Sequence, residues 1–265
     1  MRLNHAEELL VSLGIRKPSE IDLEAIAFYC GAEVREIPLS GCEAQISGYK
    51  DQAIIIINSN SSADRKRFSI GHELGHWKYH KGRSFICRAD DIDNVGRTYS
   101  ATDPEVIADN YSSDLLMPNY LFSPLAKESP HASFDVVMKL KNDFSTSITA
   151  TALKYIQHSN EASMLICHGQ NGRRWFKRGK DIPAEFFPRD DLDAESFAMD
   201  VLYGRKTQAR PNKIGADAWF TMRNAGRYEI YEHSIPLIAG QILTLLSWRD
   251  EEMFEASTEA LRRSG

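Results

Sequence analysis

From Ser62 to His80 the chain reads "SADRKRFSIGHELGHWKYH". This stretch constrains the fold more than any other. Serine or aspartate at its start can cap a helix, and no proline interrupts it, so a helix is expected from about Ser62. On a helix, residues four apart share a face, one turn above the other. His72 and His76 therefore offer two imidazoles along one line, with Glu73 rotated off it. Gly75 between them is expected to let a neighbouring element approach closely despite its cost to the helix. The pair is either the polar face of a surface helix or half of a metal site. One helix cannot surround a metal, so the second reading requires another element to return to the same face.

The flanking sequence predicts a mixed α+β fold. Residues 2–13 read as an amphipathic helix. In "PSEIDLEAIAFYCG", Ser19 is a candidate cap, Pro18 and Gly31 bracket a helix, and Ile21, Leu23, Ile26 and Ala27 face inward. "AEVREIPL" alternates as a strand. "CEAQISGYKDQAIIIIN" reads as two strands turning near Lys50-Asp51, its isoleucine run buried. Residues 81–100 read as a loop. "TDPEVIADNYSSDLLMP" is the next helix, with Thr102 or Asp103 as N-cap, Pro104 in the first turn and Pro118 as the stop. Two short helices joined at Ser145-Thr146 follow, either plain packing helices or a helix-turn-helix-like pair.

From Ser163 the pattern turns to strands. "SMLICHGQNGRRWFKRG" predicts a hairpin with a type I′ turn at Asn171-Gly172. Within it, Trp175 and Phe176 alternate into a core and the basic residues are solvated. A second hairpin is expected in "ADAWFTMRNAGRYEIYEHS", with Trp219 and Phe220 on its first strand and its turn near Gly226. A closing strand in "AGQILTLLSW" and a polar, helical tail follow. The expected organisation is residues 1–128 as the domain carrying the histidines, 129–160 as a helical connector, and 161–265 as a β-rich C-terminal domain.

Bulk properties exclude several classes. A chain of 265 residues buries a core without disulfides, so a metal would serve function rather than hold the fold. The net charge is −5 and no long basic tract occurs, which gives no reason to expect direct nucleic-acid binding. The four cysteines are scattered without a C-x-x-C pair, against a zinc ribbon or a thioredoxin-like motif. Free thiols, an N-terminus without a signal-peptide core and no bilayer-length apolar stretch lead to the expectation of a soluble, cytoplasmic protein without membrane contact.

A hydrolytic zinc site needs three protein ligands and an open position. His80 is nearest in sequence, but its Cα lies roughly 12 Å along the axis from that of His72, too far for one ion. Glu105, at the start of the next helix, is the better third ligand. Asp109 lies one turn on, placed to accept the second N–H of a ligand histidine. The bland reading of Glu105 is a first-turn glutamate that complements the helix dipole. In a His72, His76 and Glu105 site, Glu73 would act as general base on the attacking water. Tyr99, Tyr111, His80 and His131 are open alternatives for stabilising the oxyanion, each better explained by packing or surface placement. His80 reads best as a residue one turn beyond the site that faces a loop or supports a ligand from behind.

At this point "RFSIGHELGHWKYH" followed by "EVIADNYSSDLLMP" resembles the ImmA/IrrE-type metallo-endopeptidases. Their hallmark is R-F-x-x-A-H-E-x-G-H with a glutamate ten residues before L-L-M-P, and Glu105 stands ten before Leu115. The resemblance covers roughly residues 15–125, with a weaker likeness over 134–250. It implies a zincin-like protease domain and a zinc-dependent endopeptidase of the gluzincin kind, with manganese or another divalent metal as alternatives. It also implies a protein substrate, typically a helix-turn-helix repressor, in a stress response, mobile element or toxin–antitoxin pair. Residue by residue it carries over His72, His76 and Glu105 as ligands and Glu73 as base. The chain departs from the pattern at Gly71, a small-for-small change from the usual alanine, and at Ser112 and Ser113, which replace alanines and should matter little on a packed face. It also departs at Asp109, which keeps the hydrogen-bonding ability of the common asparagine. The competing readings are a metal-bearing regulatory or binding module whose C-terminal domain senses a ligand or partner, and direct DNA binding through residues 134–158.

Overall fold

A computed structural model describes residues 2–81, 85–87, 100, 102–204, 207–222, 224–250 and 252–256, with the backbone alone at 85–87. The fold is mixed α+β. It divides into two compact units, Met1–Leu125 with Leu140–Ala150, and Ala126–Lys139 with Thr151–Gly265. The described residues hold no helix long and apolar enough to cross a membrane.

In the first unit, helix α1 (His5–Ser12) starts with a capping box. The Asn4 side chain accepts from the Glu7 backbone at 3.0 Å, and the Glu7 carboxylate accepts from the Asn4 backbone at 3.1 Å. Buried Glu7 also accepts from the backbone of Asn119 at 2.6 Å, tying this turn to the chain after the fourth helix. Helix α2 (Leu23–Tyr29) is capped by Asp22, which accepts from Glu24 and Ala25 at 3.1 Å each. Ser19 instead lies in a short 3₁₀ turn, Pro18–Glu20. Both are good caps, and the Asp22 carboxylate reaches two free N–H groups. The four expected inward residues, Ile21, Leu23, Ile26 and Ala27, are buried.

Strands β1 (Ala32–Ile37), β2 (Ala44–Tyr49) and β3 (Gln52–Asn58) form a sheet with β4 (Phe85–Cys87) in the order β1-β3-β2-β4. β2 and β3 are a hairpin with Lys50 at φ 55°, and β1 runs parallel to β3. The isoleucine run is covered on one face only. Ala53, Ile55 and Ile57 are buried while Ile54 is 36% exposed. Helix α3 (Ala63–Tyr79) packs on the covered side against β2 and β3. The Trp77 indole lies against Gly48 and donates to the Cys30 carbonyl at 2.8 Å. Helix α4 (Pro104–Leu116) follows, its N-cap Asp103 accepting from Glu105 at 2.9 Å. Helices α5 (Asn119–Ala126), α6 (Phe134–Phe144) and α7 (Ile148–His158) come next, with Ser145 at φ 53° in the α6–α7 turn.

The second unit is built on a five-stranded antiparallel sheet of β5 (Ala162–Gly169), β6 (Gly172–Arg178), β7 (Asn212–Gly215), β8 (Glu229–Pro236) and β9 (Ile242–Trp248) in the order β6-β5-β9-β8-β7. Helix α8 (Phe197–Leu202) packs on β8 and β9. The β5–β6 hairpin has the expected partners but another turn. Gly169 pairs with Gly172, so Gln170-Asn171 make the turn and only Gly172, at φ 95°, takes the left-handed conformation. The second hairpin joins β7 to β8, and Trp219 and Phe220, expected on its first strand, are buried in the connection between them. β9 lies mid-sheet, between β5 and β8. On β6, the guanidinium groups of Arg173 and Arg178 stand 4.7 and 4.9 Å over the Phe176 ring instead of pointing into solvent. Part of the expected tail, residues 257–265, lies outside the described residues.

Inside this unit Glu232 is fully buried. It accepts from the backbone of Ala198 at 2.5 Å, the Trp219 indole at 2.8 Å and the Ser234 hydroxyl at 3.3 Å. Burial nevertheless pushes its carboxyl up to about 7. The folded chain then holds this proton between the ordinary carboxylate range and pH 7, where the unfolded chain has lost it. Its contribution to stability should therefore be fullest below pH 4.5 and decline as pH rises to 7, by about 1.4 kcal/mol per pH unit. Wild type should lose stability relative to Glu232→Gln in melting curves as pH rises from 5 to 8, and a constant difference would contradict the assignment.

The α3–α4 contact carries a second prediction. A Cβ at Gly71 would stand 2.5 Å from the Ser112 hydroxyl oxygen, and that hydroxyl donates to the Phe68 carbonyl at 2.8 Å. The two departures from alanine noted above thus fit each other, the added oxygen on α4 using the space a methyl would fill on α3. Gly71→Ala alone should destabilise by about 1–3 kcal/mol. Adding Ser112→Ala should recover at least about 1 kcal/mol of that loss in a denaturant-unfolding cycle, and strict additivity would refute the pairing.

Candidate metal centre

The site is made by the close crossing of α3 and α4. Glycines at 71 and 75, one turn apart, leave a groove on α3. A Cβ at Gly75 would lie 2.8 Å from the Ala108 Cα, so α4 seats its backbone there. Gly75 costs helix propensity, and close approach is what it permits. With Ala108 against Gly75 and Ser112 against Gly71, the helices run antiparallel. Glu105 and Asp109, on the first two turns of α4, then lie beside the second half of α3.

His72, Glu73 and His76 are buried, at 0%, 0% and 1% exposure. The His72 ring is held on both sides. Its Nδ1 is 2.8 Å from Asp109 Oδ1, and its Nε2 is 3.1 Å from Glu105 Oε2. His76 Nε2 lies 3.0 Å from His72 Nε2 and 3.5 Å from Glu105 Oε1. His72, His76 and Glu105 thus place one ligand atom each within 4.8 Å of one another, a group that could hold a metal ion. Two nitrogens bound tetrahedrally at 2.0–2.1 Å would stand roughly 3.3 Å apart, close to the spacing found. Two imidazoles and one carboxylate also suit a borderline divalent cation with an open position. The residues fit the group.

The electrostatics match this geometry. Burial opposes charge on the His72 ring, but hydrogen bonds to Asp109 and Glu105 and the charges of Asp109 and Glu73 outweigh it, holding the ring up to about 9. Burial likewise opposes charge on Glu105, yet hydrogen bonds and charge from His72 and His76 bring its carboxyl down to about 2. A proton in this cluster occupies the place a cation would take.

The other candidates lie elsewhere. His80 is outside the 4.8 Å group, with Nδ1 3.3 Å from His76 Nδ1. Tyr111 is buried against Tyr79, ring centroids 5.7 Å apart, and burial pushes its phenol up. His131, in the second unit, pairs with Glu161 at 2.7 Å. Tyr99 lies outside the described residues. Phe68 was not singled out from the sequence. Its ring centroid is 6.3 Å from that of His72, and it lines a cavity of about 280 Å³ with Arg65, Leu116, Met117, Thr146 and Ala150. Its position one turn before His72 is the signal that marks it.

Residues 29–154 match the family described as "Peptidase_M78: IrrE N-terminal-like domain". The matched stretch includes α3, α4 and every residue of the site. No curated protein matches the chain. Among solved structures, one described as "Mycobacterium tuberculosis transcriptional regulator" aligns over 91% of this chain and 73% of its own, with a TM-score of 0.56 and 12% identity. At that identity the likeness is one of fold.

In the metal-free protein, the His72 ring should titrate near 9 by NMR. Asp109→Ala should lower that midpoint by more than one unit. A wild-type midpoint near 6.5 would contradict the arrangement.

Proposed function

We propose that the chain is a metal-dependent endopeptidase, with His72, His76 and Glu105 as metal ligands, Glu73 as general base and Asp109 orienting His72. The observation that carries this reading is the convergence of two imidazoles from α3 and a carboxylate from α4 around one point, with Glu73 buried beside them. The peptidase family matched by residues 29–154 supports the same class of reaction. Zinc is the preferred metal for this donor set, with manganese as the alternative. When bound, the metal supplies Lewis-acid activation of water and of the substrate carbonyl.

The side chains then have separate tasks. Asp109 accepts the Nδ1 proton of His72 and leaves Nε2 free to face the ligand group. Glu73 accepts one proton from the attacking water as the new C–O bond forms. It returns that proton to the amide nitrogen as the C–N bond breaks. The proposed substrate is a partner protein, a helix-turn-helix repressor by the resemblance to ImmA/IrrE enzymes. A second reading, a metal-bearing regulatory module whose second unit senses a ligand or partner, draws on the fold shared with a solved transcriptional regulator.

Cleavage separates the two. Zinc-loaded protein should cut the helix-turn-helix protein encoded nearest its gene. Glu73→Gln should lower that rate by roughly 10²–10⁴-fold while keeping its zinc. An intact partner with wild type would favour the regulatory reading, and equal cleavage by the variant would remove Glu73 as base.

A further inference from the structure

We propose that His80 is a positioning residue, which fixes the His76 ring for metal binding by accepting a hydrogen bond from its Nδ1–H. The inference rests on the metal-site reading above. His76 Nε2 is the nitrogen that faces His72 and Glu105, at 3.0 and 3.5 Å. A neutral imidazole that gives Nε2 to a metal carries its proton on Nδ1. That Nδ1 stands 3.3 Å from His80 Nδ1. The His80 nitrogen facing it accepts, and His80 then keeps its own proton on Nε2. Each ligand imidazole is thereby held from behind by a different group. For His72 it is a carboxylate on α4, at 2.8 Å. For His76 it is a second imidazole from the end of its own helix.

The local backbone places His80 for this task. It is the C-cap of α3, at φ −130° and ψ 34°, and its N–H donates to the His76 carbonyl at 2.8 Å. The side chain thus stays over the last turn, its ring centroid 5.4 Å from that of His76 at an interplanar angle of 52°. The bond is longer than the one from His72 to Asp109, and its acceptor is neutral. Its loss should accordingly cost less than loss of Asp109.

The test uses the full-length protein and zinc alone. Asn at position 80 keeps an acceptor near the place of Nδ1, and Leu keeps bulk without one. In chelator competition His80→Leu should bind zinc roughly tenfold more weakly than wild type, the lower end of the effect of such partners, and His80→Asn should recover most of that loss. A filler of space alone would give the opposite order. Equal affinity in wild type and His80→Leu, or no recovery in His80→Asn, overturns the proposal. Long-range ¹H–¹⁵N spectra of zinc-loaded wild type give a check that needs no variant. They should show His76 protonated on Nδ1 and His80 on Nε2, and a His80 proton on Nδ1 overturns the proposal. Wild type that takes up no zinc would defeat the metal-site reading itself, whereas zinc uptake with an indifferent His80 defeats only its positioning role.

Discussion

The site depends on the distance between two helix backbones. α3 and α4 approach closely because Gly71 and Gly75 present no Cβ where Ser112 and Ala108 arrive. Only at that separation can the short side chain of Asp109 reach His72, and Glu105 reach the Nε2 atoms of both histidines. A methyl group inserted at Gly75 would meet α4 backbone, which cannot yield as a flexible side chain can. The chemistry at one end of the helix pair is therefore held by packing along its length.

That arrangement explains how polar groups can be buried here. His72, Glu73 and His76 would each be costly inside a core. Asp109 and Glu105 offset much of that cost for His72, and in doing so fix which nitrogen faces the cluster. Glu105 and Asp109 remain part-exposed, with side chains 30% and 28% accessible, so one side of the cluster opens toward solvent. A buried histidine pair with an open carboxylate edge suits the proposed metal centre, which would have to admit a water and a substrate carbonyl.

Much of this was legible in the sequence because it rests on local rules. Helical spacing put His72 and His76 on one face, and Asp103-Pro104 marked the start of α4 and so the place of Glu105. The close approach at Gly75 was also readable, since a glycine within a helix calls for a packing reason. What was not legible depends on contacts distant in sequence. Ser112 looked like a neutral change from alanine, yet it is complementary to Gly71 across the helix interface. The cap of α2 fell to Asp22 over Ser19, a choice between two good caps that local propensity does not make. Trp219 and Phe220 looked like strand residues, but the core of the second unit takes them from a connecting segment. His80 shares the i, i+4 spacing of His72 and His76. Only the structure shows that its ring turns back to His76.

The central claim is that two histidines of α3 and one glutamate of α4 share one metal ion. Zinc K-edge X-ray absorption of the full-length protein loaded with one equivalent of zinc tests it most directly. The account predicts two imidazole nitrogens at about 2.0–2.1 Å with oxygen ligands completing the shell, and one imidazole fewer in His72→Ala. Three imidazoles would bring His80 into the shell, and a shell of oxygen alone would leave the histidines outside it. Either result would contradict the site described.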